Sequence, residues 1–480
     1  MIDTPEFEEL SPRLERLIQD RFTEARLPGL AIGVVHGDSL AWSRGFGFAD
    51  VERRRPPGEM TISRVASVTK TFTATAILQL RDAGMLALDD PLLVHVPEFT
   101  SVNALSGTLE DVTIRRLLTH HSGLTSEPPL PTWETPSFPS MDEVLDAMPQ
   151  AEVVIPQDFA WKYSNFAFGL LGEVIERLTG RRYAEYVHSE ILVPLGMEWS
   201  AFELDGRLRE HFATGYSPPA TSDPALRAAP YAPMNGLASA GQLHSNIVDL
   251  AKWVTFQFSA DSDADAPAPL GQRTLAEMHR PVYIAPDWSW GQALGWRVTR
   301  MGDRVYHNHG GGIHGFASQI MFNRPAKLGV IALANMWPVT AAAEIATEVM
   351  QMVMDELSDS RAGAMPGQGQ SAETVGEGDT AMVKVSPEHL DEFAGHYWAE
   401  PGVPVRLIVE NDVLVLDRPK AGEYTLHAPA ALEATDTADV FRVRHGRAIG
   451  ERAVFRRSSQ RAVEGFLLGG FFYRRTGGRV

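Results

Sequence analysis

The sequence predicts an α+β fold, in which strands from both ends of a first domain form one antiparallel sheet flanked by helices, followed by a small antiparallel β-barrel. Strand-like patterns occur near the beginning and the end of the first 357 residues, and the stretch between them is mostly helical in pattern. After residue 384, short strand-like runs recur at close spacing. The chain has 480 residues, which exceeds the length at which one hydrophobic core keeps growing, so two domains are expected.

The elements of the first domain follow from the spacing of its apolar residues and from its turn residues. In chain order we predict a helix at 11–26, strands at 30–36 and 40–47 joined by a Gly37-Asp38 turn, a helix at 65–80 that Gly84 ends, helices at 161–178, 183–192 and 246–258, strands at 304–309, 316–323 and 328–334 with a glycine run after the first, and a helix at 341–357.

The second domain follows a stretch of different composition. Residues 358–384 are rich in Gly, Ser, Gln and Glu and contain no aromatic residue, which predicts a flexible linker. We therefore expect a first domain at 1–357 and a small, lipocalin-like barrel at 385–480. Its predicted strands are 403–409, 413–416 after an Asn411-Asp412 turn, 424–427, 441–444, 453–456, 466–468 and 471–474.

Composition excludes several classes of function. The chain has 43 Lys and Arg against 61 Asp and Glu, a net charge of −18, which disfavours nucleic acid and anionic membranes as partners. Arginines crowd the last forty positions, and solvated strand faces explain them better than a nucleic-acid surface does. There is no cysteine, so disulfides and thiolate metal sites are excluded. The acidic N-terminus lacks the pattern of an export signal and no apolar run is long enough to cross a membrane, so we expect a cytoplasmic protein.

The first candidate site is Ser67-x-x-Lys70, at the start of the helix predicted at 65–80. Residues three apart share one helix face, so the Lys70 ammonium is expected beside the Ser67 hydroxyl. A serine becomes a good nucleophile when a neighbouring group takes its proton or stabilises its alkoxide. Such a pattern also arises by chance, with the serine acting only as a helix cap. The other motifs in the chain therefore decide whether Ser67 and Lys70 are interpreted as catalytic residues.

Two further motifs supply those surroundings. Tyr163-x-Asn165 lies where a loop enters a helix, and His309-Gly310-Gly311 lies at a strand edge. Taken alone, the first could be a helix-capping pair and His309 an ordinary strand histidine.

The order of the three motifs resembles that of the serine β-lactamase and penicillin-binding-protein superfamily, in the branch that holds class C β-lactamases, D-Ala-D-Ala carboxypeptidases, D-aminopeptidases and related esterases. The sequence segments 117–124, 194–197 and 309–316 strengthen the resemblance, which covers residues 10–357. The resemblance implies a β-lactamase/transpeptidase-like fold and a serine hydrolase that needs no cofactor or metal.

It also implies a role for each motif residue. Ser67 would attack a carbonyl and form an acyl-enzyme, while Lys70 keeps the hydroxyl ready for deprotonation. Tyr163, with a phenol that loses its proton readily, would carry the proton to the leaving group. The remaining residues would bind substrate: Asn165 holds Lys70 or a substrate amide, the strand of His309, Gly310 and Gly311 receives the substrate, and the backbone N–H groups of Ser67 and Gly312 form the oxyanion hole.

One position departs from the family pattern. Many relatives have a lysine where this chain has His309, and an unperturbed histidine is mostly neutral near pH 7. This weakens the case for β-lactams and favours a small-molecule or short-peptide substrate, namely an amide, a D-amino-acid-containing peptide or an ester. A carboxylesterase, a weak β-lactamase of the same fold and a penicillin-binding sensor without turnover stay open, as do a barrel that caps the site and one that joins copies of the chain into a homo-oligomer.

Other interpretations of the sequence carry less weight. The stretch 310–315 fits Gly-x-Gly-x-x-Gly, but the next residues read as a strand where a dinucleotide site needs a helix. His307, His309 and His314 could bind zinc. The loop 128–139, with Trp133 and Phe138, is either a lid or an anchored structural loop.

Overall fold

The computed structural model describes residues 2–3, 7–135, 137–218, 225–259, 268–337, 340–359, 387–399, 403–410, 413–417 and 429–476. Residues 2–359 form the α+β part, which is built on a nine-stranded sheet, and residues 387–476 form a closed eight-stranded barrel. The predicted mixed fold and the predicted barrel are both confirmed. Most of the predicted linker at 358–384 lies outside the described residues.

Twelve α-helices occur among the described residues. They are α1 Ser11–Glu24, α2 Thr69–Asp82, α3 Leu92–His95, α4 Ile114–Leu118, α5 Met141–Asp146, α6 Asn165–Thr179, α7 Tyr183–Val187, α8 Gly206–His211, α9 Ala238–Gly241, α10 Ile247–Phe258, α11 Gln272–Met278 and α12 Thr340–Asp359. Shorter 3-10 turns lie at Ala66–Val68, Pro97–Ser101, Met148–Gln150, Asn235–Leu237 and Pro387–Glu392.

The strands of the α+β part are β1 Ile2–Asp3, β2 Gly29–His36, β3 Ser39–Gly47, β4 Ser63–Arg64, β5 Asn103–Ala104, β6 Glu152–Val153, β7 Tyr216–Ser217, β8 Arg227–Ala228, β9 His244–Ser245, β10 Tyr283–Ile284, β11 Trp290–Gln292, β12 Arg297–Met301, β13 Arg304–Ile313, β14 Phe316–Asn323 and β15 Leu328–Ala334. The barrel strands are β16 Gly395–Ala399, β17 Val403–Glu410, β18 Val413–Asp417, β19 Ala430–Ala434, β20 Val440–Val443, β21 Arg452–Arg457, β22 Val463–Leu468 and β23 Phe471–Arg475.

The main sheet joins the two ends of the α+β part, as predicted. Its strand order is β1-β3-β2-β15-β14-β13-β12-β11-β10, and every pair in it is antiparallel. β2 pairs with β15 with Leu30 opposite Ala334. β14 and β15 are buried along their whole length, because helices cover both faces of the sheet.

Two hydrophobic cores hold the sheet between its helices. In the first, α1 and α12 pack on one face, where Leu14 and Val349 are fully buried. In the second, α2, α6 and α10 pack around the site, where Phe72 and Trp253 stack with ring centroids 3.8 Å apart. The second core therefore positions the helix that carries Lys70.

Several sequence predictions need correction. The strand at 304–309 does not stop at the glycine run but continues as β13 to Ile313, because the glycines pair with β14 through backbone groups that a side-chain pattern cannot reveal. The helix predicted at 161–178 begins only at Asn165. The helix predicted at 183–192 changes to a π-helical turn after Val187.

The barrel prediction was incomplete as well. β16 and β19 were missed, and the strand predicted at 424–427 lies outside the described residues. Both missed strands are only five residues long. In β19 three of the five residues are alanine, which favours strands weakly, and in β16 Tyr397 and Trp398 are only two strand-favouring residues in a row. In the described part of the chain, no helix has both the length and the apolar character needed to cross a membrane.

Candidate active site

Ser67 lies in the tight 3-10 turn that leads into α2. The residue before it, Ala66, has φ of 47°, a left-handed conformation that costs a residue with a Cβ atom about 1–2 kcal/mol. The Thr69 hydroxyl donates to the Ala66 carbonyl at 2.6 Å, and the Val65 N–H donates to the Leu243 carbonyl at 3.0 Å. These bonds hold the strained turn, and Ser67 itself stays half-exposed at its tip.

Lys70 brings its amine to Ser67 from the first turn of α2. Its Nζ lies 3.2 Å from the Ser67 Oγ, 2.7 Å from the Asn165 Oδ1 and 2.7 Å from the Ala240 carbonyl oxygen. The side chain is fully buried, and this burial lowers its pKa well below the ordinary value. A neutral amine would give its two N–H groups to the two carbonyl oxygens, which leaves its lone pair for the Ser67 O–H.

Asn165 is held from two sides at the start of α6. Its Nδ2 donates to the Glu127 Oε1 at 2.5 Å, so its Oδ1 must face Lys70. Burial raises the pKa of Glu127 to about 7, against the smaller opposing effects of its hydrogen bonds and of Lys70. Sequence reasoning missed Glu127, since an isolated Glu before two prolines in a loop gives no motif signal.

Tyr163 lies beside Ser67, but its phenol does not lose its proton readily. Burial raises the pKa of Tyr163 to about 12, although Arg447 and a hydrogen bond with Ser67 each lower it. The sequence-based expectation of a lowered pKa was therefore wrong, because desolvation outweighs the neighbouring cation. At neutral pH the phenol is a hydrogen-bond donor.

The third motif forms an open edge of the main sheet. Pairing between β12 and β13 ends at Arg297 opposite Asn308, so the outer edge from His309 to Ile313 has no strand beside it in the described structure. An added methyl group on Gly311 would come within 2.2 Å of the Val65 carbonyl oxygen, so only glycine permits this approach to the Ser67 turn. A substrate backbone can pair along this edge.

His309 is neutral. Burial, with smaller contributions from Lys70 and Arg297, lowers its pKa to about 3. Its Nδ1 donates to the Gly310 carbonyl at 2.8 Å, so its Nε2 carries the lone pair and acts as an acceptor. It therefore cannot replace the charge of the lysine that relatives have at this position.

The three histidines that could bind zinc have separate partners. His307 Nε2 donates to the His279 carbonyl at 3.0 Å, and His314 Nε2 donates to the Trp133 carbonyl at 3.3 Å. No cluster of three or more His, Cys, Asp or Glu side chains suited to a metal occurs among the described residues.

The barrel contributes two residues to the site that sequence reasoning missed. Glu451 is buried in the α+β part, where its Oε1 accepts from Lys162 Nζ at 2.5 Å and from the N–H and hydroxyl of Ser126 at 3.0 and 2.6 Å. Arg447, in the same loop, lies with its guanidinium carbon 4.4 Å from the Tyr163 ring centroid. The only sequence feature that could have indicated Arg447 was the arginine-rich end of the chain, which the sequence analysis interpreted as solvated strand faces.

The loop at 128–139 is held by aromatic residues rather than free to open. Trp133 and Phe138 are 8% and 1% exposed, and Trp133 stacks on Phe471 of the barrel with ring centroids 5.1 Å apart. Of the two expectations for this loop, these contacts favour the anchored structural loop.

Comparison with known proteins gives the family. A family model described as Beta-lactamase matches residues 14–351. Protein flp from Staphylococcus aureus strain N315 is 27% identical over 332 residues, and Beta-lactamase-like protein 2 from Dictyostelium discoideum is 26% identical over 370 residues. These alignments cover 68% and 73% of this chain, but only 63% and 65% of the relatives' own length.

Solved structures show the same fold. The octameric penicillin-binding protein homologue from Pyrococcus abyssi (TM-score 0.62, 23% identity) aligns over 97% of this chain and 100% of its own. SurE, whose structure is also known with D-Leu, aligns over 97% of this chain and 98% of its own (0.60, 23%). A class C beta lactamase from Rhodobacter sphaeroides aligns over 72% and 99% (0.58, 21%). Since the family model spans most of the α+β part, the chain belongs to the beta-lactamase family.

Proposed function

We propose that the chain is a serine acyl-hydrolase that cleaves a small amide, peptide or ester bond through an acyl-enzyme at Ser67. Membership in the family supports a serine hydrolase in general. The observation that carries the proposal is the set of contacts around Lys70, whose amine lies within reach of the Ser67 hydroxyl and of two carbonyl oxygens. Two N–H donors and one lone pair fit these three partners.

The proposed reaction has two stages. In the first, the Ser67 oxygen bonds to the substrate carbonyl carbon while its proton passes to the Lys70 amine. The Tyr163 phenol then gives its proton to the leaving group as the scissile bond breaks, and it regains a proton from Lys70. In the second stage, water attacks the acyl-enzyme, releases the acid and restores Ser67.

The substrate class follows from the neutral third motif. Because His309 offers an acceptor instead of a cation, an N–H group of an amide or peptide is a suitable partner for it. We place D-amino-acid-containing peptides and amides first, and SurE, a structural neighbour, has been crystallised with D-Leu. Esters and weak β-lactamase activity are the alternatives. Assembly of copies through the barrel is a separate proposal, supported by the Pyrococcus abyssi homologue, which is octameric.

The test compares the wild type with Ser67→Ala on D- and L-amino acid anilides, p-nitrophenyl esters and nitrocefin. We expect steady turnover by the wild type and none by Ser67→Ala. Ser101→Ala is the matched control, because Ser101 is exposed and donates only to the Glu98 carbonyl. A single stoichiometric burst without turnover would instead indicate a sensor, and full activity in Ser67→Ala would overturn the proposal.

A further inference from the structure

Four threonines alternate along the first half of α2, at positions 69, 71, 73 and 75, and all four are fully buried. A threonine favours a helix only weakly because its branched Cβ restricts its rotamers, and its buried hydroxyl needs a hydrogen-bond partner. Thr71 and Thr75 find that partner next to or within α2, since their hydroxyls donate to the Val68 and Thr71 carbonyls at 2.7 and 3.0 Å. Thr69 and Thr73 also form hydrogen bonds with the segment around α9, so these two join separate elements.

The helix α9 receives these hydrogen bonds because it is a single turn. It has only four residues, so the carbonyls at its C-terminal end have no partner within it. Side chains of α2 supply the missing donors: the Thr73 hydroxyl donates to the Ser239 carbonyl at 2.6 Å, and Lys70 Nζ donates to the Ala240 carbonyl at 2.7 Å. Just beyond α9, the Thr69 hydroxyl accepts a backbone N–H at 3.2 Å. Three side chains of α2 therefore fasten one turn of backbone beside the site.

The Thr73 hydroxyl is in turn held by Tyr183, at the start of α7. Their two oxygens are 2.7 Å apart, and the phenol is buried. Burial raises the pKa of Tyr183, so the phenol keeps its proton and donates it to Thr73, whose own proton is left for the Ser239 carbonyl. Hydrogen bonds in such a chain polarise and strengthen one another. The chain ends one residue before the carbonyl that Lys70 contacts.

The helix α6 fixes the same turn. The Ser239 hydroxyl donates to the Phe168 carbonyl at 2.8 Å, and an added methyl group on Gly172 would come within 2.3 Å of the Ser239 Oγ. Only glycine permits this close approach of α6 to α9. Because α6 also carries Asn165, both oxygens that accept from Lys70 belong to elements packed tightly against each other.

The position of the Ala240 carbonyl matters to the proposed function, on which this inference rests. The Lys70 amine directs its lone pair at the Ser67 hydroxyl only while its two N–H groups point to the two carbonyl oxygens. We propose that Thr73 and Tyr183 are positioning residues, which hold the Ala240 carbonyl where it orients Lys70. Their hydroxyls contact α9 and each other, so their loss should slow acylation and leave substrate binding unchanged.

The test measures the acylation rate constant and KM with the p-nitrophenyl ester of N-acetyl-D-leucine. Thr73→Val replaces the hydroxyl with a methyl group of similar size, and we expect acylation to slow about tenfold, as for the loss of one buried hydrogen bond, at an unchanged KM. Thr73→Ser keeps the hydroxyl and should restore most of the wild-type rate. An acylation rate in Thr73→Val equal to that of the wild type would overturn the inference.

Thr75→Val is the matched control. Thr75 lies in the same helix, is equally buried and donates to a carbonyl of α2 itself, so the same change of hydroxyl to methyl leaves α9 untouched. Its acylation rate should equal that of the wild type. If Thr75→Val slows acylation as much as Thr73→Val does, the loss reflects any buried hydroxyl of α2, and the positioning role is wrong.

Tyr183→Phe tests whether the phenol acts through Thr73. Alone, it should slow acylation about threefold, because the hydroxyl of Thr73 stays in place but loses its donor. Added to Thr73→Val, it should cause no further loss, since the group through which it acts is already gone. A further threefold loss in the double variant would show that Tyr183 acts by another route, and its assignment as a positioning residue would fail.

An NMR measurement on Lys70 separates this inference from the proposed function. In protein with lysine isotopically labelled at Cε, the Lys70 signal, assigned by its loss in Lys70→Met, reports the surroundings of the amine without any substrate. We expect this signal to move in Thr73→Val, to return in Thr73→Ser and to stay in place in Thr75→Val.

The two proposals then fail in different ways. If the ester does not acylate Ser67 but the Lys70 signal moves as expected, the proposed function fails and the positioning role stands. If the wild type is acylated and Thr73→Val changes neither the Lys70 signal nor the acylation rate, the positioning role fails and the hydrolase stands.

Discussion

The α+β side of the site and the barrel side differ in how their charged groups are satisfied. On the α+β side, every hydrogen-bond partner of Lys70 comes from the α+β part itself, through the Ser67 turn, α6 and α9. On the barrel side, Glu451 is engaged in a buried ion pair, whereas the exposed Arg447 has no ion pair within the part of the chain that the structure describes and lies over the Tyr163 ring. The α+β part therefore contains the groups that we propose to cleave the bond, while the barrel supplies a buried anchor and an exposed cation.

The largest expected effect is on the α+β side. Lys70→Met keeps most of the length of the side chain but removes the amine that we propose takes the Ser67 proton, so kcat for hydrolysis should fall about 10²–10⁴-fold. Stopped-flow acylation with a p-nitrophenyl ester measures the step directly. Lys327→Met, at an exposed turn, is the control and should retain the wild-type rate. Acylation that survives in Lys70→Met would show that another group is the base.

The next effect is on the barrel side. Glu451→Gln leaves the buried Lys162 ammonium without its counter-ion, so the free energy of unfolding should fall by about 3–5 kcal/mol. Denaturant titration measures it, and Glu464→Gln on an exposed barrel position should change little. Adding Lys162→Met should recover part of the loss, because it removes the unpaired charge. If the double variant is as unstable as the sum of the two single variants, the ion pair does not hold the barrel in place.

A smaller effect concerns Glu127, at the border between the two sides. Burial lowers the pKa of Lys70, which must be neutral to act as the base, and the Glu127 carboxylate opposes this by raising it. Glu127→Gln removes the charge but keeps an acceptor for Asn165, so the acidic limb of the kcat/KM profile should move about one pH unit lower. Glu127→Ala also loses that acceptor and should lower kcat as well. If the acidic limb of the kcat/KM profile of Glu127→Gln lies at the same pH as that of the wild type, this account of Lys70 is contradicted.

The smallest effect concerns the aromatic contact between the two parts. Phe471→Leu removes the stacking on Trp133 while keeping an apolar side chain, so unfolding should become easier by about 1 kcal/mol. Leu468→Met, within the buried barrel core, is a volume-conserving comparison that keeps the stack. Equal losses in the two variants would mean that the stack adds nothing beyond apolar contact.

These two sides also differ in how far the sequence predicted them. Ser67 and Lys70 are three residues apart on one helical stretch, so local spacing alone predicts their contact. The sheet was predictable because β14 and β15 are buried on both faces and read as continuous apolar runs. Tyr163 and Asn165 needed the resemblance to a family, since the contact of Asn165 with Lys70 spans about a hundred residues of chain.

The remaining features are tertiary properties without a local pattern. The partnership of Glu451 with Lys162 joins residues 289 positions apart, and nothing in either neighbourhood indicates it. The raised pKa of Tyr163 depends on burial, which the motif does not encode. The buried Nε of Arg297 has no hydrogen-bond partner among the described residues, and this can be read only from the folded chain.

The most direct test of the role of Ser67 is to trap the acyl-enzyme and identify the residue that carries the acyl group. The protein is mixed with a slowly hydrolysed p-nitrophenyl ester, quenched in acid and digested, and the peptides are examined by mass spectrometry. We predict that one acyl group is attached to Ser67 and that Ser67→Ala carries none. An acyl group on another residue, or hydrolysis at the wild-type rate by Ser67→Ala, would contradict this assignment.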